Sequence, residues 1–183
     1  VIYQVQLADI YLRLERDSEA IAAANKAIEL DPKSFKARYF LGKVYFELGQ
    51  NEEAANAFRT AITSGANIPE VFYFLGISLS RIGKTDEAIT ALEKAIELAP
   101  DTMEYNAELG TQLNSAARYE EAIAPFKKAG ELAPKDFAAK VGLGLALFES
   151  SKYEEGLQVL MEADRMKPGN PVVNMFLNIA RAR

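Results

Sequence analysis

One repeat length constrains this chain more than any other feature. Leucine followed by a small residue occurs at Leu7-Ala8, Leu41-Gly42, Leu75-Gly76, Leu109-Gly110 and Leu143-Gly144, each pair 34 residues after the last (41 − 7). Two further series keep the same beat: Ala20, Ala54, Ala88, Ala122 and Gly156, then Ala27, Ala61, Ala95, Ala129 and Ala163. A chain repeating in phase with no insertion is an array of one supersecondary unit, and each unit buries its apolar face on its neighbours.

The stretch from Leu41 to Ala61 shows what the unit is. Leu41, Gly42 and Tyr45 share one helical face, Gly49 interrupts the backbone, and Ala54, Phe58 and Ala61 resume the same spacing. That pattern predicts two short antiparallel helices. Pro32, Pro100, Pro134 and Pro168 close the unit where a second helix must end. The second unit ends differently: Gly65 is expected to cap its helix, and Pro69 to open the next. The units read as 1–34, 35–68, 69–102, 103–136 and 137–170, followed by a lone helix at 171–183. Acidic pairs at Glu52-Glu53, Asp86-Glu87, Glu120-Glu121 and Glu154-Glu155 fall in the first turn of each second helix. There they complement the helix dipole rather than form acid-base dyads.

These residues resemble the tetratricopeptide repeat (TPR) pattern, W-x2-L-G-x2-Y, then A-x3-F, then P, on a 34-residue period. The resemblance covers essentially the whole chain. It departs at the tryptophan slot, held by Gln4, Arg38, Phe72, Asn106 and Lys140, and at the first-helix aromatic, kept as Tyr11 and Tyr45 but replaced by Leu79, Leu113 and Leu147. The resemblance implies an all-α fold: a right-handed α-α superhelix, or solenoid, of antiparallel hairpins forming a single array over 1–183. It also implies a non-catalytic module that binds a protein or peptide, as adaptor or scaffold.

Composition narrows the chemistry. Cysteine and histidine are both absent, which removes disulfides, thiolate metal sites and the commonest general base near neutral pH. No metal, cofactor or catalytic residue is therefore expected. Glu104 and Glu108 share a helical face but read as solvated surface. A net charge of −5 argues against a nucleic-acid partner, which favours a basic stripe. No run is long and apolar enough to cross a bilayer, so membrane insertion is not expected. The missing initiator methionine, and a first helix apolar on nearly every side, suggest a piece of a longer chain, and so a possible targeting segment of a larger enzyme.

In TPR arrays the first helices line the concave face, so the resemblance directs attention to their inward side chains. In the first unit these are Ile2, Val5, Gln6, Asp9, Leu12 and Arg13. The 34-residue step carries the same register to the later units. Two known TPR ligand sets are missing. The carboxylate-clamp slots hold Val5, Asp9, Phe40, Glu70 and Phe74, and the asparagine-ladder slots hold Gln6, Phe40, Phe74, Glu108, Gly142 and Phe176. What remains is aromatic and apolar. The expected partner-binding residues are Lys36, Tyr39, Phe40, Lys43, Phe46, Tyr73, Phe74, Ile77, Arg81, Leu145 and Phe148. They suit an apolar or aromatic-rich helix or extended segment, with Lys36, Lys43 and Arg81 orienting its acidic groups. The competing expectation is a self-assembling scaffold, a homodimer in which the apolar 171–183 helix docks on another copy.

Overall fold

The computed structural model describes residues 1–181; positions 182 and 183 of the expected last helix lie outside the described residues. Eleven α-helices make up the described chain, which divides into two compact units at Leu98/Ala99. The first holds α1 (Ile2–Arg13), α2 (Asp17–Leu30), α3 (Phe35–Glu47), α4 (Asn51–Thr63), α5 (Pro69–Arg81) and α6 (Thr85–Leu98). The second holds α7 (Met103–Ser115), α8 (Tyr119–Leu132), α9 (Phe137–Glu149), α10 (Tyr153–Met166) and α11 (Pro171–Arg181). First helices begin at Phe35, Pro69, Met103, Phe137 and Pro171, the 34-residue step read from the sequence.

The helix starts have local causes. Ser34 Oγ accepts from the Ala37 N–H at 3.3 Å, Asp136 Oδ1 from Ala139 at 2.7 Å, and Asn170 Oδ1 from Val172 and Val173 at 3.1 and 3.2 Å. Each satisfies a donor that the helix leaves unpaired. At the equivalent place in the second unit Gly65 turns with φ +98° and Pro69 opens α5, as expected. Asp17, Glu19 and the later acidic pairs do sit in the first turn of their helices.

The turn inside each hairpin requires a left-handed residue. It falls at Glu15 (φ 55°), Gly49 (72°), Gly83 (78°), Ala117 (57°) and Ser151 (65°), again 34 residues apart. Only two of the five are glycines, so three hairpins hold a side chain in a conformation that costs roughly 1–2 kcal/mol.

Within each hairpin the two helices meet over one position. A Cβ added to Gly42 would lie 2.6 Å from the Phe58 ring; for Gly76 the neighbour is Leu92, for Gly110 Phe126 and for Gly144 Leu160, each at 2.7 Å. In every case the partner is 16 residues on, as in 58 − 42, and buried. The first hairpin has Ala8 and Ala24 at these two places, both buried. Glycine thus faces a large residue, or alanine faces alanine, so the pair fills a similar space by two routes.

The tryptophan slot is served by local bonding instead. Asn106, buried, donates through Nδ2 to the carbonyls of Pro100 (3.0 Å) and Thr102 (2.8 Å); Arg38 donates to Ser34 O, and Lys140 reaches Glu162 at 2.7 Å. These polar side chains anchor the helix start that a large apolar ring would otherwise cover.

Candidate functional site

The first-helix face of the first unit carries the most developed site. α1 and α3 pack side by side and leave between them a cleft of about 440 Å³. Val5, Asp9, Leu12 and Arg13 line it from α1, and Phe40, Lys43 and Glu47 from α3. All seven occupy the inward register derived from the repeat. Ala8 and Val44 complete an apolar floor, and Glu15 and Asp17 line it from the turn leading into α2. Glu15 and Asp17 escaped the sequence reading. The only signal was positional: Glu15 stands where Gly49 and Gly83 stand, at a turn whose side chain the fold must direct somewhere.

The cleft is apolar below and charged above. Arg13 Nη2 contacts Asp9 Oδ2 at 3.0 Å, and Lys43 Nζ lies 5.5 Å from the centroid of Phe74. Glu15, Asp17 and Glu47 are exposed, which leaves the rim acidic on balance.

The expected aromatic anchors converge on one ring. Phe74 contacts Phe46 (centroids 5.1 Å), Tyr73 (5.4 Å), Phe58 (6.0 Å) and Tyr39 (6.4 Å), and Tyr39 also meets Phe40 edge-on at 5.6 Å. Tyr39, Phe40, Phe46, Tyr73, Phe74 and Ile77 are all half-buried, so part of each side chain faces outward and part holds α3 against α5. Edge-to-face pairs of this kind add about 0.5–1.5 kcal/mol each beyond area burial. Arg81 sits with Cζ 4.4 Å from the Phe46 centroid, while Lys36 is exposed at the start of α3. The cations expected to orient a ligand therefore differ: Lys43 and Arg81 lie over rings and Lys36 stands clear of them.

Leu145 and Phe148 lie in the second unit. Leu145 is half-buried against the α9–α10–α11 core. Phe148 corrects the sequence expectation. It is 5% exposed, its ring 5.3 Å from Phe176 and 5.2 Å from Tyr153, and it is core rather than contact surface. Phe176, also expected on the inward face, is buried with it. The reason is α11, which packs on α10 and turns Val173 and Phe176 into the contact.

A larger groove, about 640 Å³, lies on the opposite, second-helix side of the first unit, floored by Phe72, Leu75 and Leu79. Its rim is already neutralised: Arg59 pairs with Glu87, and Lys94 with Glu97 at 2.6 Å. A ligand there would first have to break those pairs, so the first-helix cleft is the better candidate. Among the described residues no cluster could hold a metal ion, and no helix is long and apolar enough to cross a membrane.

Comparison with known proteins agrees with this architecture. The tetratricopeptide repeat family matches at residues 73–136 and 116–171, more than half of the chain, and the family of anaphase-promoting complex (cyclosome) subunit 3 matches at 13–95. No curated protein matches in sequence. Among solved structures, the chain is similar to YrrB, described as a TPR protein with an unusual peptide-binding site. The identity is 25%, with 94% of this chain and 89% of that one covered, at a TM-score of 0.85. MamA is similar in fold, at 23% identity, 91% of each chain and a TM-score of 0.84. So is MamA from Desulfovibrio magneticus RS-1, at 18% identity, 92% of this chain, 96% of that one and a TM-score of 0.82. With the period, the hairpins and these matches in agreement, the chain belongs to the tetratricopeptide repeat family and is an all-α protein-interaction module.

Proposed function

We propose that the first-helix face of the first unit binds an apolar or aromatic-rich peptide or helix, and that the chain acts through it as an adaptor without chemistry of its own. The observation that carries this reading is the α1/α3 cleft, whose walls are built from inward-register residues of two successive units. Next to it, Tyr39, Phe40, Tyr73 and Phe74 offer ring surface for apolar side chains, and Ile77 extends it. Lys36, Lys43 and Arg81 can meet acidic groups of the ligand. The peptide-binding site of YrrB, on a similar fold, is consistent with the same use here. In the second unit Leu145 is a weaker candidate contact.

Magnitude bears on the kind of binding. Full burial of a large apolar side chain yields roughly 1.5–3 kcal/mol, and rings that are already half-buried yield about half that. Four or five such contacts barely exceed an association cost of about 4–15 kcal/mol. The expected complex is weak and reversible. A net charge of −5 favours protein over nucleic acid as the ligand.

Peptides selected from a random library on the intact chain, mapped by NMR shift perturbation, test the reading. Selected sequences should be rich in Leu, Phe and Tyr, perturb α1, α3 and α5, and lose at least tenfold in affinity with Tyr73→Ala while the helical spectrum is unchanged. Perturbation confined to the second-helix groove, or unaltered binding by Tyr73→Ala, would place the site elsewhere.

A further inference from the structure

α11 leaves part of its apolar surface unused. Val173, Phe176 and Leu177 pack on α9 and α10, whereas Val172, Met175 and Ile179 are 44%, 51% and 40% exposed. These three fall at i, i+3 and i+7, one continuous helical stripe, with the i+4 member, Phe176, already used inside its own unit. The segment 171–183 contains no acidic residue, and Arg181 and Arg183 close the stripe in sequence.

The α1/α3 cleft has the complementary chemistry: an apolar floor that includes Leu12, Phe40 and Val44, and a rim where Glu15, Asp17 and Glu47 are exposed. Two copies of a chain carrying a net −5 repel one another at long range, so a contact between them needs a local patch of the opposite sign. The 171–183 segment supplies that patch and the apolar anchors together. We infer that the cleft of one copy takes the α11 stripe of a second copy, with Val172, Met175 and Ile179 on the floor and Arg181 and Arg183 meeting the rim carboxylates. This rests on the groove reading above and names the partner for it. Because cleft and helix are different surfaces, the contact is heterologous; it closes reciprocally into a dimer or continues from copy to copy.

Sedimentation velocity of the whole chain over a wide concentration range tests the inference. Reversible, salt-weakened self-association is expected. Met175→Glu should weaken it at least tenfold, and Glu47→Lys severalfold; both positions are exposed, so the fold should tolerate the changes. Arg181→Glu with Arg183→Glu should weaken it similarly. Combining that pair with Glu47→Lys should restore most of the loss, which a merely structural role would not do. A single monomeric species at every concentration, or association indifferent to Met175→Glu and Glu47→Lys, overturns the inference. If the chain is monomeric while selected peptides still bind in a Tyr73-dependent way, only the self-association fails. If selected peptides also ignore Tyr73, the groove reading falls with it.

Discussion

At the residue scale the hairpin is set by a size exchange between two positions 16 apart. Gly42→Ala gains about 1 kcal/mol of helix propensity, yet its methyl would meet three atoms of a fully buried ring at 2.6–3.0 Å. Overpacking costs about 1–3 kcal/mol, so a net loss of up to ~2 kcal/mol is expected by urea denaturation. Phe58→Ala alone should cost about 3–5 kcal/mol. The double variant recreates the Ala8/Ala24 arrangement, and its cost should fall short of the sum by at least ~0.5 kcal/mol. The turn positions make the converse case. Ala117→Gly and Ser151→Gly should relieve left-handed strain of roughly 1–2 kcal/mol, offset by ~0.4–1 kcal/mol of unfolded-state entropy. A Tm rise of a few degrees at most should be seen. Sequence showed the glycine at 49 as a break but was silent at 15, 117 and 151, because the strain lies in the backbone and those residues do not advertise it.

At the element scale, caps and electrostatics shape each helix. Asp136→Ala removes the acceptor for the Ala139 N–H at the start of α9 and should cost about 0.5–2 kcal/mol in thermal or urea unfolding. Pro125 lies inside α8, where it supplies no N–H for the helical bond to residue 121. Interior proline costs about 3 kcal/mol relative to alanine, so Pro125→Ala should raise stability, though by less once packing around the half-buried ring is lost. Hydrogen bonds from Arg16 and Arg118 hold the carboxyls of Glu19 and Glu121 below the usual carboxylate range, and Lys140 does the same for Glu162. A depressed folded-state pKa stabilises above the unfolded value and loses its effect as pH falls through the folded one. Melting temperature should therefore decline as pH drops below about 4.5, by a small amount because these pairs are exposed. Glu121→Gln should shallow that acid limb without changing stability ordering near neutrality.

At the scale of the whole molecule, the absence of histidine leaves no side chain with an ordinary pKa between about 5 and 8. Stability should be flat across that interval, and a transition near pH 6–7 in a scan of Tm against pH would contradict it. The net charge of −5 makes salt a second control: it screens repulsion between copies but also screens the attraction between an acidic cleft and a basic segment.

What the sequence settled by itself was everything that follows from periodicity: the all-α class, the hairpin, the helix starts at 35, 69, 103, 137 and 171, the Gly65–Pro69 exit and the inward register of α1 and α3. A local spacing of 3–4 residues and a repeat of 34 are one-dimensional facts, readable without coordinates. Tertiary packing decided which side chains remain outside. Phe148 and Phe40 sit at corresponding inward positions; α11 closes over one and not the other, so one is core and one lines a cleft. Burial is a property of neighbours, and neighbours brought together across elements are what a pattern along the chain does not encode.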